Sequence, residues 1–96
     1  MIQQLKNIPP LIDFGFGLTS IQAAVNTPVT VWLNTLYNQE AYSFTLRATG
    51  AVTKISNYEY EIAYPQPGTY LIAMGVSTTD KKISLESNIL TVIVTG

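Results

Sequence analysis

Glu59 and Glu61 stand two residues apart in the alternating run Tyr58-Glu59-Tyr60-Glu61-Ile62. On a β-strand they share one face, about 7 Å apart. Paired carboxylates at such a spacing can divide acid and base roles in glycoside hydrolysis, or donate oxygens to calcium. Neither chemistry finds its other parts in this sequence. A calcium loop needs several Asp or Asn oxygens gathered in one turn, and no such run occurs. The chain has no histidine and no cysteine, so the usual general base, the thiol nucleophile and the common transition-metal ligands are missing. A Ser-His-Asp arrangement is impossible. Gly15-Phe16-Gly17 lacks the Lys-Ser/Thr pair and the following helix of a phosphate loop. Glu59 and Glu61 are therefore expected on a solvated strand face. No catalytic, metal or cofactor site is expected, and the protein is not expected to be an enzyme.

Binding chemistry is the remaining option. Charged residues make up 11% of the 96 residues and the formal net charge is −1, so nothing here neutralises a row of phosphates and nucleic acid is not an expected partner. Lys81-Lys82 reads as the solvated tip of a hairpin. No stretch approaches the roughly 18 apolar residues that span a bilayer, so no membrane partner is expected either. Met1 to Lys6 do not form the basic flank and apolar run of a signal peptide, and synthesis in a cytoplasm is expected. A surface this poor in charge is weakly guarded against association. Six tyrosines and Trp32 could in principle stack on sugar rings, but Tyr42, Tyr60 and Tyr70 fall at inward strand positions.

Two regimes of hydrophobic spacing divide the chain. Ile8-Pro9-Pro10-Leu11 excludes a helix interior, because two prolines fix φ and remove donors. Asp13-Phe14-Gly15-Phe16-Gly17 follows, with aromatic residues between flexible glycines. Residues 1–17 are predicted to be an extended N-terminal arm. Its apolar residues (Ile2, Leu5, Ile8, Leu11, Ile12, Phe14, Phe16) are too many to leave in water. From Leu18 onward the period becomes two, the mark of strands. Strands are predicted at 21–25, 29–34, 42–47, 51–55, 58–64, 69–77 and 89–95. Ile83–Leu85 resumes after the polar hairpin end at 78–82, and Pro65-Gln66-Pro67-Gly68 forms the strongest turn. The inward row comprises Val29, Val31, Leu33, Tyr42, Phe44, Leu46, Tyr60, Ile62, Tyr70, Ile72, Met74, Val76, Leu90, Val92 and Val94. The class is all-β, with about seven antiparallel strands in a sandwich over residues 18–96.

The run Tyr64-Pro65-Gln66-Pro67-Gly68-Thr69-Tyr70-Leu71-Ile72 resembles an immunoglobulin-like domain, including its polycystin-type (PKD) branches. In that family a Pro-Gly-Thr-Tyr-like stretch leads into the penultimate strand, and its Tyr bonds back to nearby backbone. The resemblance gives Tyr70 this role and puts Ile72 where antibody domains carry a cysteine. Ser87 to Val94 resembles the closing strand. Such domains occur on phage virions and on bacterial surface proteins, and the fold itself does not specify a function.

Some outward positions are apolar or small. Trp32 faces outward if Val31 and Leu33 face in, and Leu71, Ala73, Gly75 and Ile93 share the outer face of the second sheet. A covered surface is expected there, covered either by the protein's own arm or by another subunit. The expected partner-binding residues are Ile2, Leu5, Ile8, Leu11, Phe14, Phe16, Trp32, Leu71 and Ile93. The resemblance, the apolar arm and the low charge together imply a structural protein of a phage virion: a head decoration, cement or tail accessory protein. It would dock through its N-terminal arm and an apolar sheet face on protein subunits of a larger particle, or associate as a homo-oligomer. The alternative is a glycan- or protein-binding module of a bacterial cell-surface or adhesin protein, with residues 1–17 continuing an upstream linker.

Overall fold

A computed structural model describes residues 8–96. These form nine strands: β1 (Ile12–Asp13), β2 (Ser20–Ala24), β3 (Val29–Leu33), β4 (Tyr42–Arg47), β5 (Ala51–Ser56), β6 (Glu59–Ala63), β7 (Gly68–Thr78), β8 (Ser84–Glu86) and β9 (Leu90–Thr95). No helix forms among the described residues. The strands follow the period-two pattern. β3 alternates Val29, Val31 and Leu33, all buried, with Thr30 and Trp32; β9 does the same with Leu90, Val92 and Val94.

Two sheets face each other across the core. The first has the order β1-β3-β6-β5 and the second the order β2-β9-β7-β4, with β8 also beside β7. All pairs are antiparallel except β2 with β9, which is parallel. β4 occupies one edge of β7 along Ala73–Thr78, so β8, on Gly75–Ser77, must take the other edge, the one β9 uses along Gly68–Ile72. β8 and β9 are thus one strand interrupted at residues 87–89. Counting it twice, and adding the two-residue β1, separates nine strands from the expected seven or so.

The expected inward row lies between the sheets. Tyr42, Phe44, Leu46 and Tyr70 are only half-buried, while the others are buried. Ile12 and Tyr64 join this core as well. Ile12 is fully buried, and its backbone is held from both sides. It pairs with Leu33, and its N–H and C=O bond the Asn88 side-chain amide at 2.8 and 2.9 Å. Asn88 reaches it from the interruption between β8 and β9, so one amide side chain joins the two sheets.

The chain comes in at one end of the sandwich, where Leu11 N–H meets Thr35 Oγ1 and the Tyr37 hydroxyl donates to Ile8 C=O. It leaves at the opposite end, where Val25 N–H bonds Thr95 C=O and Asn26 N–H bonds Tyr64 C=O.

Candidate docking site

β1 ends at Asp13, and the chain then turns through a closed loop. Asp13 Oδ1 accepts the Gly15 N–H and Oδ2 the Gly17 N–H, each at 2.9 Å. Phe14 N–H donates to Leu18 C=O at 2.8 Å and Leu18 N–H to Gly15 C=O at 3.0 Å. Three successive residues take left-handed backbone: Gly15 (φ 106), Phe16 (φ 54) and Gly17 (φ 77). Glycine does this freely, whereas an L-residue with a side chain gives up about 1–2 kcal/mol. The strained residue here is a phenylalanine whose side chain is fully in solvent, at 105% relative exposure. Phe14 turns the other way and packs against the core.

Asp13 is itself buried. Burial pushes its carboxyl pKa up, but hydrogen bonds from the Asn34 side chain and from the Gly15 and Gly17 amides outweigh this and hold it below the ordinary 3.8. A folded pKa below the unfolded one means the stabilisation is present above the unfolded value. It is lost as pH falls through the folded value. Asp13→Asn is expected to cost about 2 kcal/mol at neutral pH, since hydrogen bonds to a charged acceptor are replaced. The gap to the parent protein should narrow below pH 3.8. Urea unfolding of both proteins at neutral and acid pH checks this; an unchanged gap would mean the carboxylate does not organise the loop.

The loop lies against Trp32, which is still 38% exposed. A Cβ at Gly15 would meet Trp32 Nε1 at 3.8 Å, an ordinary contact, so what calls for glycine here is the backbone, at φ 106, and not the space beside the indole. Trp32 shares the outer face of the first sheet with Thr30, Glu59 and Glu61: Glu59 pairs with Trp32 and Glu61 with Thr30. Among the described residues no group of three His, Cys, Asp or Glu side chains is placed to hold a metal.

The other apolar face belongs to the second sheet. Leu71 is opposite Thr91 and Ile93 opposite Thr69, with Leu71 60% and Ile93 37% exposed. Gly75, on the same face, is buried beneath Arg47 of its own chain, which reaches across it to pair with Glu86. Part of the expected covering therefore comes from this ion pair.

The expected partner-binding residues are not gathered into one patch. Phe16 is on the loop whose Gly15 lies beside Trp32, with Ile8 and Leu11 exposed on the segment leading to it. Leu71 and Ile93 lie on the outer face of the second sheet. Ile2 and Leu5 fall outside the described residues. Trp32 is also separated from the tyrosines, which pack between the sheets. Tyr37 lies 5.0 Å from Tyr42 and 6.0 Å from Phe44, and Phe44 5.8 Å from Tyr58, ring to ring. The Tyr58 hydroxyl donates to Tyr37 C=O, and burial, with Tyr42 and Tyr58 nearby, pushes the Tyr37 hydroxyl up to about 12. Sequence reasoning missed Asp13 and Leu18. The signal was there: an Asp two and four residues before glycines is the spacing at which one carboxylate can bond both amides.

No protein family matches this chain, and no curated protein matches it.

Proposed function

We propose that this protein is a non-enzymatic docking domain of the immunoglobulin-like kind, and that it serves as a structural component of a larger particle, in concrete form a phage head decoration, cement or tail accessory protein. The observation that carries the docking function is Phe16. A folded chain gains nothing internally by holding a phenylalanine in left-handed backbone with its ring fully in water. Exposed aromatic side chains on rigid supports are the usual anchors of protein interfaces. Strain kept at one exposed residue by its surroundings marks a working position. Trp32, beside Gly15 of the same loop, and Leu71 and Ile93 on the far face, extend the surface available to neighbouring subunits.

The immunoglobulin-like assignment draws support from two features. The Tyr70 hydroxyl donates to Gln66 C=O at 2.8 Å, the back-bond this family places at that corner. The strand order β1-β3-β6-β5 against β4-β7-β9 follows that family's division of strands between its two sheets. The absence of histidine and cysteine from the chain supports a non-enzymatic role.

Phe16→Asn provides the test. Asn tolerates left-handed backbone, so the variant should be more stable by about 0.5–1 kcal/mol while it loses its anchor. The untagged protein should co-sediment with large particles from a lysate of its source, in fixed ratio to a shell or tail protein. The variant should stay in the supernatant. A protein found soluble, or as part of a longer secreted chain, would sink the particle reading and favour a cell-surface module.

A further inference from the structure

The sandwich has edge strands, and they are not equally guarded. A bare edge offers unpaired N–H and C=O groups to any other strand, and stable monomers usually block it with a bulge, a proline or an inward-pointing charge. β5 has two of these devices. Its register shifts between Lys54 and Ser56, and Lys54 lies opposite the buried Tyr60, which puts a lysine on the inner face. β4, the edge of the other sheet, has none. It pairs with β7 in unbroken register from Tyr42 to Arg47, and it contains no proline or glycine. Its single charge, Arg47, is turned over Gly75 onto Glu86.

The direction of the β4 backbone follows from β7. Thr78 N–H bonds Ile83 C=O and Ser87 N–H bonds Met74 C=O, so the even-numbered β7 residues address the β8 side. Ala73, Gly75 and Ser77 therefore address β4, and Thr79 N–H, bonding Ala41 C=O, continues the series. Their partners Arg47, Thr45 and Ser43 use their backbone groups on β7. Phe44 and Leu46 turn theirs to the outer edge, where no strand of the described residues pairs. The side chains of the same two residues point inward and are only half-buried. Polar backbone and apolar surface are thus left open at the same place.

We propose that a second copy of this chain covers it, β4 against β4, antiparallel about a two-fold axis at Thr45. In this register Phe44 of each copy exchanges both backbone bonds with Leu46 of the other. Thr45 meets Thr45, a favourable cross-strand pair, and Arg47 meets Ser43, so no like charges face each other. The inner row continues as Phe44 beside Leu46, and the two second sheets become one continuous sheet. Such a pairing is isologous and closed, so it stops at a dimer. β2 is a poorer candidate, because its inward row offers only Ile21 and Ala23. The proposal does not depend on the docking role of Phe16.

Sedimentation velocity on the purified full chain, from micromolar to millimolar, tests it. A concentration-dependent dimer is expected. Ser43→Lys with Thr45→Lys puts lysine opposite lysine and opposite arginine; both positions are exposed, so the fold should persist by circular dichroism. This variant should dimerise more weakly by about tenfold or more. Gln22→Lys, on β2, should dimerise like the parent. Hydrogen exchange at the Phe44 and Leu46 amides should slow as concentration rises. A protein that stays monomeric throughout would overturn the proposal. So would a dimer that ignores the β4 charges, or one that dissociates with Gln22→Lys or Phe16→Asn.

Discussion

Ile12→Ala is expected to lower the stability of the domain by about 3–4 kcal/mol, within the usual range for emptying a fully buried aliphatic site. Ile12 is 0% exposed and belongs to the same core as Val31, Leu33 and Leu90. Its backbone is fixed by Leu33 on one side and by Asn88 on the other, so the site cannot readily collapse around a smaller side chain. A domain of this length loses about 4–8 °C of melting temperature per kcal/mol, so a fall of about 12–30 °C is expected by calorimetry. Leu11, the preceding residue, is 57% exposed, and Leu11→Ala should change stability by less than about 0.5 kcal/mol. If the two substitutions behaved alike, β1 would not be part of the core.

Gly50→Ala should be nearly as damaging. Gly50 sits in the turn between β4 and β5 with φ 95, a backbone that costs an alanine about 1–2 kcal/mol. Here the methyl group would also have nowhere to go. A Cβ would lie 2.9 Å from Ala63 C=O and 2.9 Å from the Tyr64 ring, which is itself stacked on Tyr70 at 4.1 Å. Relieving such overpacking costs about 1–3 kcal/mol more, for a total of about 2–5 kcal/mol. Gly17 separates the two contributions, because it has φ 77 but nothing within 4 Å of its Cβ position. Gly17→Ala should show the backbone cost alone. Denaturant midpoints of the two variants that matched would mean the Ala63–Tyr64 contact gives way freely.

Strand positions and the inward row were legible because alternation is a local property. Val29-Thr30-Val31-Trp32-Leu33 declares its buried face without help from the rest of the chain. The turn at Pro65 to Gly68 and the Tyr70 back-bond were legible for the same reason. Ile12 was not. It stands in a run of apolar residues broken by prolines, with no period to assign a face, and its place is set by Leu33 and by Asn88, 76 residues away. Gly75 read as part of a covered outer face, but the arginine that covers it comes from another strand. Phe16 and Trp32 were each legible as apolar residues in need of an explanation. That the loop bearing Phe16 lies beside Trp32 was not, because it depends on the pairing of Asp13 with Trp32.

β2 and β9 run side by side in the same direction, Ser20 opposite Thr91 and Ala24 opposite Thr95. The chain reaches β2 from one end of the sandwich and leaves β9 at the other. Tension applied through the two ends would first meet the Asn88 grip on Ile12 and then act along this seam. Parallel strands pulled apart in this way slide past each other, so the hydrogen bonds between them share the load, whereas a hairpin pulled open at its tip breaks one bond at a time. Stretched between two attachments, the domain would resist as a stiff link, with β2–β9 as its shear joint.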